Sequence, residues 1–148
     1  MSTKQIDPRG PRFGAAITTV LLATDIFLAL DSTTADAAFI LLVAITALFA
    51  IGAIFGNAKH PYGWIFKNLI RPRLGNPKEL EDAAAPQFAQ GVGLFVAGAG
   101  VILHIFGVPN AVVIAAGAAF VAAFLNSVFN YCLGCQIYFG LKRLRVIR

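Results

Sequence analysis

Four long apolar stretches, separated by polar segments, dominate the pattern of the chain. Each reaches the roughly 17–25 residues that a helix needs to span about 30 Å of hydrocarbon. In lipid every backbone amide must be bonded within its own segment, so we expect these stretches to be helices rather than strands. The predicted transmembrane helices comprise residues 13–30, 37–56, 88–106 and 111–139.

The segments between the stretches predict how the helices are arranged. Residues 107–110 leave room for only a short turn, so the third and fourth helices must be antiparallel neighbours. We therefore predict a single all-α membrane domain over residues 1–148, folded as an antiparallel bundle of four transmembrane helices. A short tail, residues 140–148, follows the fourth helix.

The polar segment 57–87 contains a further helical pattern. Its apolar residues fall at the i, i+3, i+4, i+7 and i+8 positions of one helix face: Tyr62, Ile65, Phe66, Leu69 and Ile70. This stripe over residues 62–70 is too short to span a bilayer, and Trp64 beside it is typical of the headgroup region. We predict an amphipathic helix that lies in the plane of the membrane at its cytoplasmic face.

Composition and charge exclude a soluble protein and orient the bundle. Hydrophobic residues make up 58% of the chain and charged residues 13%, against a usual charged fraction of roughly 25%. The chain contains 12 Lys and Arg, none of them in the turns 31–36 and 107–110. The positive-inside bias therefore places both termini in the cytoplasm, and we expect a multi-pass protein of the bacterial plasma membrane.

The net charge of +5 is expected to face anionic lipid, so the lipid bilayer is the first predicted partner. No basic patch interleaved with aromatic residues indicates binding of nucleic acid. Small residues such as Gly52 and Gly56 allow close helix packing, either within the chain or between protomers of a homo-oligomer. Of these two interpretations we favour packing within the chain.

Both cysteines of the chain belong to one Cys-x-x-Cys, Cys132 and Cys135, near the predicted cytoplasmic end of the fourth helix. If that helix continues through them, the i, i+3 spacing places both sulfurs on one face. The spacing suits disulfide exchange, two of the four ligands of a soft metal, or simple packing. Because cytosolic thiols are kept reduced, we favour transient thiol chemistry, with one cysteine as the catalytic nucleophile and the other resolving.

Arginines are the groups expected to stabilise a thiolate at this position. The basic residue nearest to the cysteines in the sequence is Lys142, so we expect the fold to bring others over the pair. The candidates, which would stabilise a thiolate or bind an anionic substrate, are Arg9, Arg12, Arg71 and Arg73.

Other polar residues complete the candidate set. Gln90, Asn126 and Asn130 lie near the predicted inner ends of helices three and four, where they either line a path to the cysteines or bond across helices. Asp25 is the one acid within a predicted span, and His104 lies near the same outer side. The two either serve a proton-linked role as a pair or reach the interface separately, and we favour the second interpretation.

No motif indicates a cofactor or a metal. His60 stands alone in a polar segment. The chain lacks a Ser-His-Asp set, a phosphate-binding glycine loop and a helix with paired metal ligands. We therefore predict neither a cofactor nor a metal site.

Six blocks of sequence resemble a bacterial, mainly actinobacterial, membrane family, domain of unknown function 4395. The blocks are Ile6–Phe13, His60–Gly63, Arg71–Leu74, Glu81–Asp82, Pro86–Gln90 and Asn130–Cys135. The resemblance implies a compact four-helix membrane protein of no settled activity, associated with thioredoxin-like and sulfurtransferase proteins. All six blocks fall on the predicted cytoplasmic side, where we expect a site to assemble.

These observations favour an integral membrane thiol protein. Its Cys-x-x-Cys would carry out thiol–disulfide exchange or handle sulfane sulfur at the cytoplasmic face, with a soluble thioredoxin-like or sulfurtransferase partner. One alternative is an oligomeric transporter for a small sulfur compound. The other is a non-catalytic accessory subunit of a larger membrane complex.

Overall fold

A computed structural model describes residues 5–6, 9–56, 61–75, 81–82, 84–129 and 131–144. These residues form helices and two very short strands. In chain order the elements are β1 (Gln5–Ile6), α1 (Arg9–Leu30), α2 (Ala35–Phe55), α3 (Pro61–Ile65), α4 (Arg71–Leu74), β2 (Glu81–Asp82), α5 (Ala84–Ile105), α6 (Ala111–Phe129) and α7 (Leu133–Arg143). A 3₁₀ turn at Ser32–Thr34 precedes α2, and a π-helical turn at Phe66–Ile70 joins α3 to α4.

Four helices of the described chain are long and apolar enough to cross a membrane, as predicted. They are Arg9–Leu30, Ser32–Phe55, Ala84–Ile105 and Ala111–Phe129. The first and third begin about four residues before the predicted positions, because Pro11 and Pro86 lie in the first helical turn instead of preventing it. A proline is tolerated there since its missing N–H would have no intrahelical acceptor.

The four long helices pack in the cyclic order α1, α2, α5, α6. Leu22, Ile45 and Ala119 belong to one buried cluster between them, and Leu42 and Ala115 belong to a second. Most buried positions of α6 are alanines. Such small side chains let neighbouring helices approach closely, which is how helices associate where the solvent is itself apolar.

Contacts between α2 and α5 occur in opposite order along the two helices. The Phe39 ring stacks on His104 with 4.6 Å between centroids, while at the other end Gln87 Nε2 donates to the Ala53 carbonyl at 2.8 Å. Gly52 accommodates the side chain of Gln90. This glycine therefore serves packing within the chain, the interpretation favoured from the sequence.

The residues predicted as an in-plane helix form a continuous helical segment, residues 61–74, which packs against the start of α1. Phe66 is buried, with its ring 5.9 Å from that of Phe13, and Tyr62 covers Gly14. Leu69 is 57% exposed although the pattern placed it on the buried stripe. The π-helical turn departs from the 3.6-residue period on which that stripe depends. The position of the segment in the membrane plane stays a prediction.

The apolar run 111–139 differs from its predicted form, because it is two helices rather than one. The first, α6, ends at Phe129, and α7 begins at Leu133. The Tyr131 N–H donates to the Leu125 carbonyl at 3.1 Å and closes the end of α6. Cys132 has extended backbone angles, φ −89° and ψ 103°. The break therefore falls at the Cys-x-x-Cys itself and changes how its two sulfurs are presented.

Candidate thiol site

The N-terminal residues join the polar segments at one end of the bundle. Strand β1 pairs antiparallel with β2, with Gln5 opposite Asp82. Arg9 Nη2 donates to the Gly75 carbonyl at 2.9 Å. The start of the chain thus contacts the polar segment between α2 and α5 at two places, both far from it in sequence.

Arg12 extends this assembly to the end of α6. Its Nε donates to the Ser127 carbonyl at 3.0 Å, and its Nη2 donates to the Val128 carbonyl at 3.3 Å. These carbonyls belong to the last turn of α6, where no intrahelical donor remains, and a cation is favourable at that end of the helix dipole. The guanidinium thereby holds the chain that leads directly to Cys132.

The cysteines lie at the N-terminus of α7. Cys132 is the N-cap residue of this helix and Cys135 lies in its first turn. The two form a disulfide with their Cα atoms 5.1 Å apart, and the Cys135 N–H donates to Cys132 Sγ at 3.1 Å. A helix N-terminus stabilises negative charge through its unpaired N–H groups. The same N–H groups would stabilise a Cys132 thiolate, as at other reactive cysteines.

Gly134, between the two cysteines, lets α7 press against α5. A Cβ atom at Gly134 would lie 2.5 Å from both the Cα and the Cβ of Ala89. Further along the same contact, the rings of Phe88 and Tyr138 lie 5.8 Å apart. The first turn of α7, and with it the cysteine pair, is positioned by direct contact with the backbone of α5.

Burial distinguishes the two sulfurs. Cys135 is only 4% exposed, whereas Cys132 is half-buried. Cys132 is therefore the cysteine that an incoming group can reach. Cys135 is placed behind it, within bonding distance of its sulfur.

Both cysteines line a cavity of about 580 Å³ that extends between α1, α2, α5, α6 and α7. Of the predicted polar residues, Gln90 and Asn126 line it too. Thr18 of α1 also lines it, close to Tyr62. Burial raises the pKa of Tyr62, and the nearby Thr18 side chain opposes that shift. The structure thus brings two of the four predicted polar residues to the thiols.

The other two predicted polar residues are not part of this cavity as described. Asn130 lies outside the described residues. Asp25 is fully buried in α1, and neither of its oxygens has a hydrogen-bond partner among the residues that the structure describes. His104 is exposed and stacks on Phe39. The possible Asp25–His104 pair is therefore not formed.

The four arginines occupy positions around the site rather than inside its cavity. No arginine is among the described residues that line the cavity. Arg9 and Arg12 donate to backbone carbonyls, Arg71 is half-buried and Arg73 is exposed. Their role beside a thiolate stays a prediction, while the contact observed at Cys132 Sγ is the backbone N–H of Cys135.

No metal centre is evident in the described part of the chain. It contains no group of three or more His, Cys, Asp or Glu side chains that could hold a metal ion. His60 lies outside the described residues.

Sequence reasoning missed three residues that shape this site. Thr18 occupies an apolar stretch, where a single hydroxyl carries no signal. Ala89 is an ordinary residue of a small-residue helix. Gly134 was visible within the Cys-x-x-Cys, and a glycine there indicates a close approach of two backbones.

The family described as Domain of unknown function (DUF4395) matches residues 6–143 of the chain. This range contains every contact that builds the thiol site, apart from that of Gln5 in β1. The match confirms the resemblance seen in the sequence. No curated protein and no solved structure matched the chain.

Proposed function

The chain belongs to the family described as domain of unknown function 4395, and we propose that it is a membrane-bound thiol–disulfide exchange protein. One observation carries the proposal. The only cysteines of the chain meet as a disulfide at a helix N-terminus, with one sulfur accessible and the other buried behind it.

In this proposal Cys132 is the nucleophile and Cys135 the resolving residue. The Cys132 thiolate attacks one sulfur of a partner disulfide, forms a mixed disulfide and releases one partner thiolate. The Cys135 thiolate then attacks Cys132 Sγ, which forms the Cys132–Cys135 bond and releases the second partner thiolate. Two electrons pass to the partner, and the protons lost by the two cysteines appear on the two partner thiols.

The geometry favours exchange over stable storage of sulfane sulfur. A persulfide on Cys132 would be next to Cys135, whose sulfur is held within bonding distance. Attack by Cys135 on Cys132 Sγ would close the disulfide and release the outer sulfur as sulfide. Sulfane sulfur would therefore pass through this site rather than remain there.

The proposed setting is the cytoplasmic face of a bacterial plasma membrane. Four apolar helices support a multi-pass membrane protein. The distribution of the 12 Lys and Arg supports cytoplasmic termini. A soluble thioredoxin-like protein is the proposed exchange partner, since it could meet Cys132 from the aqueous side of the bundle end.

Single-cysteine variants test the proposal. Cys135→Ser should trap a mixed disulfide on Cys132 when the purified protein is mixed with oxidised glutathione, because the resolving thiol is missing. Cys132→Ser leaves only the buried thiol, so its rate of adduct formation should be at most about one tenth of the rate for Cys135→Ser. Intact-protein mass spectrometry measures both rates.

The double Ser variant is the matched control and should acquire no adduct. Equal rates for the two single-cysteine variants would contradict the assignment of roles. Absence of any adduct on Cys135→Ser would reject thiol exchange as the function.

A further inference from the structure

The cavity beside the cysteines extends deep into the membrane-spanning part of the bundle. Thr18 lies nine residues after the start of α1, about 14 Å along the helix at 1.5 Å per residue. Ala118 lies eleven residues before the end of α6, about 17 Å along it. A bilayer core is about 30 Å thick. The cavity therefore connects the thiols with the level of the acyl chains.

The rim of the cavity is apolar and faces outwards. Ala118 of the spanning helix α6 lines it and is itself exposed. On the side of a membrane bundle, an exposed apolar residue faces lipid. A ligand can therefore enter from the hydrocarbon phase without crossing water.

Polar groups in the cavity are few and uncharged. The described lining residues include no Lys, Arg, Asp or Glu. The amides of Gln90 and Asn126 and the hydroxyl of Thr18 provide hydrogen-bond donors among mainly apolar neighbours. An ion such as thiosulfate would be desolvated here without a counter-charge, which is strongly unfavourable. The ligand is therefore neutral, largely apolar and able to accept hydrogen bonds.

We propose that the cavity binds the ring of a lipid-soluble quinone, which oxidises the Cys132–Cys135 dithiol. This inference rests on the proposed function and names a second electron acceptor for the same pair. The dithiol would be restored by the same exchange in the reverse direction, with a reduced dithiol protein as the electron donor. A quinone ring is planar and neutral, and its two carbonyl oxygens accept hydrogen bonds from amides. Its apolar tail would leave through the exposed rim into lipid. A cavity of about 580 Å³ lies within the usual range of roughly 300–1,000 Å³ for small-molecule sites.

The reaction balances as a two-electron transfer. The Cys132 thiolate attacks a ring carbon, forming a carbon–sulfur bond as an electron pair moves onto a quinone oxygen. The Cys135 thiolate then attacks Cys132 Sγ, forming the disulfide and breaking the carbon–sulfur bond, whose electron pair passes to the ring. The two protons lost by the thiols end on the two oxygens, giving one disulfide and one quinol.

Oxidation of the reduced full-length protein in lipid nanodiscs tests this inference. The acceptor is decylubiquinone, a fully substituted benzoquinone whose ring has no carbon–hydrogen position for irreversible thiol addition. Quinol formation is followed by ultraviolet absorbance, and disulfide formation by alkylation and mass spectrometry. We expect one quinol for each disulfide formed, and none with Cys135→Ser.

Variants locate the reaction in the cavity. Ala118→Phe places a ring at the exposed rim and should slow quinone reduction about tenfold or more. Ala44→Phe is the matched control: Ala44 is also exposed, on α2, and does not line the cavity. Asn126→Leu keeps the side-chain size but removes the amide, and it should raise the KM for the quinone more than it lowers kcat.

A second oxidant separates the two proposals. Oxidised glutathione, which is water-soluble, should oxidise Ala118→Phe as fast as the unsubstituted protein. Oxidation by glutathione disulfide without any quinol from decylubiquinone would overturn the quinone site and leave thiol exchange standing. Oxidation by neither would overturn both. Equal quinone rates in Ala118→Phe, Ala44→Phe and the unsubstituted protein would place the reaction outside the cavity and also overturn the site.

Discussion

Individual side chains around this site act mainly by forming hydrogen bonds with backbone groups. Arg12 bonds to two carbonyls at the end of α6, and Gln87 bonds to one at the end of α2. Cys132 caps the start of α7 through its sulfur. Each of these side chains pairs with a backbone group near a helix terminus, where intrahelical partners run out. The ends of the helices, and not their middles, therefore position the thiols.

Gly134 gives the most direct test at this scale. Gly134→Ala should destabilise the fold by about 1–3 kcal/mol, because the new methyl group meets the backbone of Ala89 and the first turn of α7 must move. Thermal unfolding in detergent measures the loss. The same shift should slow closure of the disulfide.

Gly140 is the matched control, since it lies in the same helix and a Cβ there has no neighbour within 4 Å. Gly140→Ala should be neutral or stabilising by up to about 1 kcal/mol, as alanine favours a helix over glycine. If both substitutions had the same effect, the close approach of α7 to α5 would not govern the site.

At the scale of elements, helix boundaries decided what the cysteines can do. A continuous helix over 111–139 would have placed both sulfurs on its side, without access to a free N–H. The break after Phe129 instead makes Cys132 an N-cap residue. The helical segment 61–74 has one packed face and one exposed face, because Phe66 packs on α1 while Trp64 is 63% exposed.

Trp64 is the only tryptophan of the chain and reports where that segment lies. In vesicles, its fluorescence should be quenched most by lipids brominated close to the headgroup, since an in-plane helix holds it at shallow depth. A control with Phe95→Trp in a Trp64→Phe background should be quenched most by deep bromines. Phe95 is 77% exposed near the middle of α5. Deep quenching of Trp64 itself would show that the segment enters the hydrocarbon.

For the whole molecule, the arrangement unites distant parts of the chain at one end of the bundle. Strand β1, the segment 61–75, the start of α5 and the α6–α7 link all meet there. Every one of these segments lies on the side where the basic residues are found. The candidate site therefore lies at one end of the bundle, and the orientation in the membrane decides which compartment that end faces.

Labelling of the reduced cysteines with a membrane-impermeant maleimide tests the proposed orientation. Reaction should occur in inverted vesicles and not in intact cells, because the proposed orientation turns the thiol site towards the cytoplasm. Ser32→Cys in a background without the native cysteines is the control, since Ser32 is exposed in the opposite turn. It should label in intact cells. If both sites showed the reverse labelling pattern, the topology would be opposite to the proposed one.

Sequence alone was enough to predict four helices long and apolar enough to span a membrane. The four spans follow from the length and polarity of their residues, because a bilayer offers backbone groups no other hydrogen-bond partners. The Cys-x-x-Cys and the six family blocks also stand out by local pattern, and the described residues of those blocks do converge on one end. These features depend on neighbours along the chain, so periodicity and composition are sufficient to find them.

Only the tertiary structure decided how the thiols are presented. The α6–α7 break falls within a run that is apolar throughout, so the hydropathy pattern does not mark it. The capping of α6 by Arg12 and the contact of Gly134 with Ala89 join residues distant in sequence. The arginines were expected at the sulfurs because charge is visible in a sequence, whereas the N–H groups of a helix terminus are not. Thr18 could not be identified from the sequence, because its importance comes from the cavity, and a cavity exists only once the helices have packed.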